Sequence, residues 1–161
     1  MDKFILDVTC GGKTIWFNKN HPNCIYGDIR KEKKGFYEHR KNFEINPDII
    51  LDFKKLEFPD NSFKLVFFDP PHIYRENNKS WVSQKYGVLN PRTWKRDLKQ
   101  GFDECMRVLE ERGNLVFKWS EPQIKIKEIL EIFGEEPLTG HTTAKSGKTK
   151  WCIFVKISNG N

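Results

Sequence analysis

With 161 residues, the chain is long enough to bury the core of one α/β domain and too short for two. Its 28 lysines and arginines outweigh 22 aspartates and glutamates, and the resulting net charge of +6 points toward a polyanionic partner rather than a cationic one. No repeat, low-complexity tract, leader peptide or apolar stretch of bilayer length is present, so the expectation is a soluble, cytoplasmic, single-domain protein spanning residues 1–161 with no membrane partner. Cys10, Cys24, Cys105 and Cys152 stand singly without C-x-x-C spacing, which argues against a disulfide framework. A zinc site would need His21 or His39 to join Cys24, so no metal is expected.

In chain order, Phe4–Val8 is a short apolar run that feeds the small-residue turn Thr9-Cys10-Gly11-Gly12, the pattern of a strand entering a loop where backbone approaches a ligand. Gly12-Lys13-Thr14 and Gly147-Lys148-Thr149 both look like the end of a phosphate-binding loop. The first glycine of that motif would fall at Asp7 or Thr142, so neither is complete. Asn23–Asp28 reads as a second strand and Pro47–Phe53 as a third, each ending in a carboxylate. The Pro59-Asp60-Asn61 turn leads to a fourth strand at Leu65–Phe68, followed at once by Asp69-Pro70-Pro71-His72.

Asn90-Pro91 predicts a capped helix start, and Trp94, Leu98, Phe102, Cys105 and Leu109 recur at helical spacing as one apolar face. Gly113-Asn114 punctuates before a fifth strand at Leu115–Phe117. Ser120 with Gln123 forms a capping box for a second helix that ends near Gly134. Trp151–Ile157 is an apolar closing strand.

Asp69-Pro70-Pro71-His72 carries the most chemistry. An aromatic exocyclic amine is a poor nucleophile because its lone pair is delocalised into the ring, so a site that alkylates it draws both N–H bonds toward acceptors. Asp69 offers a carboxylate, and the backbone carbonyl of Pro70 is held in a fixed direction by the consecutive prolines. His72 then stands beside the target ring as a wall. The bland alternative is an ordinary Asp-Pro turn after a strand.

This tetrapeptide resembles the D/N-P-P-Y/F/W/H motif of the class I S-adenosylmethionine-dependent amino-methyltransferases, which act on adenine N6, cytosine N4, guanine N2 or a glutamine amide. The resemblance extends over residues 4–72 in motif order. It implies an α/β, Rossmann-like fold with a mostly parallel twisted sheet, flanking helices and an antiparallel C-terminal strand. It also implies S-adenosyl-L-methionine as cofactor. Asp7, Thr9, Cys10, Gly11 and Gly12 would hold the methionine part, Asp28 the ribose hydroxyls, Asp52 the adenine amino group and Phe53 the adenine face. Asp69, Pro70, Pro71 and His72 would be catalytic. Four aspartates at four successive strand ends would converge on the carboxyl edge of the sheet, where open α/β folds bind ligands.

The positive charge gathers in two stretches. One runs from Arg30 to Lys41 with Phe36 and Tyr37 interleaved. The other, from His72 to Lys99, contains the candidate substrate-binding residues Tyr74, Arg75, Lys79, Trp81, Lys85 and Tyr86. Basic residues neutralise phosphates and aromatics stack on unpaired bases, so the mixture suits a strand or a flipped nucleotide. The alternative is a lysine-rich surface that keeps a basic domain soluble. The leading expectation is therefore methylation of a nucleic-acid base, adenine N6 in DNA first and RNA close behind. The competing readings are a protein glutamine or small-molecule N-methyltransferase and a cofactor-binding subunit that activates a partner; a protein partner or a homodimer stays open. Trp16, Lys118 and His141 are not placed by sequence alone.

Overall fold

The computed structural model describes residues 3–75, 81–141 and 147–157, with the side chains of Trp81 and Val82 left aside. Seven strands form one sheet in the order β3-β2-β1-β4-β5-β7-β6. They are β1 (Ile5–Asp7), β2 (Cys24–Asp28), β3 (Ile49–Ile50), β4 (Phe63–Phe68), β5 (Leu109–Ser120), β6 (Thr139–Gly140) and β7 (Thr149–Val155). The first five run parallel, and β7 lies antiparallel between β5 and β6. Three helices accompany them: α1 (Trp81–Tyr86), α2 (Trp94–Val108) and α3 (Ile126–Phe133).

The apolar runs of the sequence become central strands because a parallel strand buried on both faces needs apolar residues in succession. One face of the sheet, carrying Leu6, Val66, Phe68, Leu115 and Phe117, packs against Leu98, Phe102 and Cys105 of α2 and Ile129 and Phe133 of α3. The opposite face carries Ile5, Cys24 and Tyr26 and is covered in part by Trp16, whose ring lies 4.9 Å from that of Phe67 and 5.0 Å from that of Tyr26. All four cysteines are free and buried, as small core residues.

Several boundaries differ from expectation. The connections at residues 8–23, 29–48 and 51–62 are built of turns and bridges rather than helices, so the first half of the sheet is wound tightly by loops. Helix α2 begins at Trp94, because Asn90 caps a preceding turn, taking the Arg92 N–H on its side chain at 2.8 Å and the Trp94 N–H on its carbonyl at 3.0 Å. Leu109 opens β5 rather than closing α2. Gly113 lies inside β5: Phe63 pairs with Leu109 and Leu65 with Asn114, so residues 110–113 bulge, and a Cβ at Gly113 would come within 2.8 Å of the Glu110 carbonyl. Helix α3 starts at Ile126, not at Ser120. Glu121 accepts the Ile126 N–H at 2.8 Å in place of the expected capping box, while Gln123 accepts the Tyr74 N–H. Gly134 ends α3 in the left-handed region, φ 72°, as its position suggests. Among the described residues no helix is long and apolar enough to cross a membrane.

Candidate active site

The strand order reverses between β1 and β4, and the crevice beyond their carboxyl ends is where the candidate residues meet. Thr9, just after β1, accepts the backbone N–H of Asp69, just after β4, on its Oγ1 at 2.8 Å. Asp28, at the end of β2, accepts the Gly11 N–H at 2.9 Å and the Arg30 N–H at 2.9 Å. Two hydrogen bonds thus suspend the glycine loop between neighbouring strand ends. Gly11 sits at φ 48°, a conformation that favours glycine, and a Cβ at Gly12 would fall 2.1 Å from the Phe43 ring. Phe43 belongs to the β2–β3 connection, which therefore folds over the loop.

A cavity of about 340 Å³ opens beside this point, walled by Asp28, Leu51, Asp52 and Phe53 on one side and by Asp69, Pro71 and residues 86–90 on the other. Thr9, Arg30, Asp69 and Tyr86 also line a smaller cleft with Cys10, Gly11, Gly12, Pro70, His72 and Lys85, so the two spaces adjoin at Asp69. Phe53 is held by packing: its ring is 5.3 Å from that of Phe68, and Gly101 of α2 leaves room for it, since a Cβ there would lie 2.5 Å away. Asp52 accepts the Lys54 N–H at 3.0 Å and keeps part of its carboxylate in solvent.

Asp7 lies beneath the loop rather than in the cavity, at 1% exposure. Its oxygens take the Thr9 N–H at 3.2 Å and the Trp16 indole N–H at 2.7 Å, which gives the carboxylate a scaffolding position under the loop. Burial pushes its pKa up to about 7, against the two hydrogen bonds. Because the folded value exceeds the unfolded one, Asp7 binds its proton more tightly in the native state, and its contribution to stability falls as pH rises toward 7. Between about pH 5 and pH 8 the wild type is expected to lose about 2–3 kcal/mol more stability than Asp7→Asn, which cannot titrate there. Urea denaturation of both proteins at the two pH values reads this difference directly.

Asp69 is four-fifths buried, and its Oδ2 receives Lys118 Nζ at 2.5 Å. Burial pushes its carboxyl pKa up, and the Lys118 ammonium offsets only part of that rise. His72 stands with its ring 5.6 Å from Tyr86 and 6.2 Å from Trp119. Burial, aided by Lys118, pushes its pKa down to about 4 against the pull of the Pro70 carbonyl, so at neutral pH it is an uncharged aromatic wall. Burial also pushes the Cys10 thiol far up, which makes it an inert lining group.

The substrate-side candidates divide. Tyr86 and Lys85 line the cleft, and Lys85 Nζ lies 2.6 Å from the Tyr86 hydroxyl. Tyr74 is stacked on Trp94 at 5.9 Å and an interplanar angle of 5°, so its ring serves the fold. Arg75 is exposed at the edge of this region. Lys79 and the side chain of Trp81 lie outside the described residues. In the first basic stretch Tyr37 is buried and packs with Phe36 and Phe43, whereas Lys31, Lys33, Lys34, Arg40 and Lys41 point to solvent. The aromatics there hold the loop together, leaving an outward basic rim.

Three site residues were not legible as such. Arg30 ties Asp28 to the carbonyls of Gln84 and Lys85 and so fastens α1 over the cleft. Phe43 roofs the glycine loop. Lys118 had a signal: a lone cation in the apolar run Leu115–Trp119. His141 follows the outer strand β6, where its Nδ1 accepts the Trp151 N–H.

No protein-family model matches the chain, and no curated protein matches it at a significant level. Solved structures do. The PH0226 protein of Pyrococcus horikoshii aligns with a TM-score of 0.56 at 17% identity, over 96% of this chain and 81% of its own. A TehB-like SAM-dependent methyltransferase of Corynebacterium glutamicum gives 0.56 at 15% identity, over 94% and 79%. The N-methyltransferase NodS of Bradyrhizobium japonicum gives 0.53 at 12% identity, over 96% and 85%.

The chain has the class I methyltransferase fold.

Within this methyltransferase fold the cavity and the Asp69 turn occupy the carboxyl edge at the switch point, and the parallel sheet ends in the antiparallel strand β7, as the motif order implied.

Proposed function

We propose that this chain is an S-adenosylmethionine-dependent methyltransferase that acts on an exocyclic amino group of a nucleic-acid base, with adenine N6 in DNA as the leading target. The observation that carries the reading is the Asp69-Pro70-Pro71-His72 turn at the edge of a cavity bearing Asp28, Asp52 and Phe53. The residues present fit the cofactor. Two carboxylates can accept from hydroxyls and an amino group, Phe53 offers an aromatic face, and the loop at Gly11 and Gly12 brings backbone close without side chains. When bound, S-adenosylmethionine supplies an electrophilic methyl group on sulfur.

The chain's own part is orientation. Asp69 accepts one N–H of the target amine and the Pro70 carbonyl accepts the other, which turns the nitrogen lone pair out of conjugation. Neutral His72, backed by Tyr86 and Trp119, walls the ring without adding charge. Thr9 fixes the Asp69 backbone, so the carboxylate sits in place before substrate arrives. Positioning and charge complementarity of this kind account for a large share of a barrier reduction without a covalent enzyme intermediate.

The net charge of +6 and the outward lysines of the 30–41 stretch support a polyanionic substrate. Transfer of labelled methyl to unmodified DNA and to RNA in parallel, followed by nucleoside mass spectrometry, tests the reading. N6-methyladenine in DNA is expected. Label in RNA alone would move the substrate class, and label in neither, with protein or small amines accepted instead, would overturn the nucleic-acid reading.

A further inference from the structure

We propose that Lys118 is a positioning residue that opposes protonation of Asp69 and, through its ion pair, leaves a single oxygen for the substrate amine. This rests on the reading of Asp69 as that acceptor.

The placement follows from the sheet. Phe68 of β4 is in register with Phe117 of β5, so the next residues, Asp69 and Lys118, emerge side by side at the carboxyl edge. Leu115, Phe117 and Trp119 are buried in the core, and Lys118 alternates to the other face with only 19% of its side chain exposed. A lysine so enclosed is costly unless it is paired. Its Nζ meets Asp69 Oδ2 at 2.5 Å and lies 5.8 Å from the centre of the Trp151 ring, which stands opposite Lys118 on β7. The ammonium is therefore fixed between a carboxylate and an indole face rather than waving in solvent.

Two consequences follow for the amine. A protonated Asp69 would turn one oxygen into a donor and offer the amine an uncharged, weaker acceptor, so the ionised form orients the N–H more strongly. With Oδ2 taken by Lys118, Oδ1 is the oxygen that remains, and the carboxylate plane is set by the ion pair rather than free to rotate.

The surrounding charges make Lys118 the residue that decides this. Asp7 lies below the loop, and its own carboxyl is pushed up mainly by burial and in small part by Asp69. Asp28 lines the same cavity and already accepts from Gly11 and Arg30, with lone pairs left toward the cavity, and the Arg30 guanidinium offsets its charge while also reaching the end of α1. His72 is neutral, and Lys85 is turned to the Tyr86 hydroxyl. Lys118 is the cation that touches Asp69.

The test uses the full chain with Lys118→Met, which keeps the stem and removes the charge, and Lys118→Arg, which keeps the charge. Carbon-13 carboxyl titration, with the Asp69 signal assigned through Asp69→Asn, reads the acceptor without any turnover. Lys118→Met is expected to raise the Asp69 midpoint by about one pH unit or more, and Lys118→Arg to restore most of the wild-type position. In the transfer assay the acid limb of the pH–rate profile should move by the same increment, in kcat more than in KM. An Asp69 midpoint that does not move in folded Lys118→Met overturns the proposal. If the wild type methylates no substrate while the midpoint still moves, the proposed function has failed and the charge-holding role of Lys118 stands.

Discussion

Asp69→Ala is expected to lower methyl transfer by about two to three orders of magnitude while leaving cofactor affinity nearly unchanged. The carboxylate is the strongest acceptor at the turn, and without it one N–H of the amine has no partner and the lone pair stays in the ring. Asp28, Asp52 and Phe53, the groups proposed to hold the cofactor, lie on the other wall of the cavity and are not touched by the substitution. The substitution also leaves the four-fifths-buried Lys118 ammonium without its counter-ion. Asp69→Ala combined with Lys118→Met separates that cost from lost chemistry: folding should recover and turnover should not. Single-turnover transfer and equilibrium binding of the demethylated cofactor are the two measurements. Equal loss of both would mean that Asp69 serves binding rather than orientation.

Phe133→Ala is expected to cost about 3–5 kcal/mol of stability, a large fraction of the roughly 5–15 kcal/mol margin typical of a folded domain. Phe133 is 2% exposed at the end of α3. Its ring stacks on Phe102 of α2 at 4.2 Å and meets the edge of Phe117 on β5 at 5.0 Å. It is thus the point where both long helices and the sheet touch, and truncation leaves a void that three elements would have to collapse into. Chemical denaturation reads the loss. A cost below about 1 kcal/mol would show that α3 is not part of the cooperative core.

Much of this was legible from residue patterns, and the reasons it was legible are local. The run Leu65–Phe68 ending at Asp69 is a buried strand meeting a turn, and the spacing of Trp94, Leu98, Phe102 and Cys105 is a helix face; both needed only neighbouring residues. The Asp28 and Asp52 positions followed from the habit of strands to end in polar residues at the ligand edge. What could not be read depends on register and on long-range packing. Lys118 is 49 residues from Asp69, and only the parallel pairing of β4 with β5 brings them together. Tyr74 looked like a stacking platform for a base, yet Trp94 lies parallel to it and takes that role. Asp7 looked like a ligand group because it ends the first strand, but the loop folds back so that Trp16 covers it. Strand β6, two exposed residues paired along β7, carries no apolar signal of its own.

The cavity bearing Asp28, Asp52 and Phe53 is proposed to bind S-adenosylmethionine next to Asp69. Calorimetric titration of the wild-type chain with S-adenosylmethionine, repeated on Asp28→Ala and Phe53→Ala, tests it most directly. One site per chain is expected, with affinity reduced about tenfold or more in each variant as a hydrogen-bonding carboxylate or an aromatic face is removed. Absence of binding to the folded wild type, or binding that neither substitution weakens, would contradict the account.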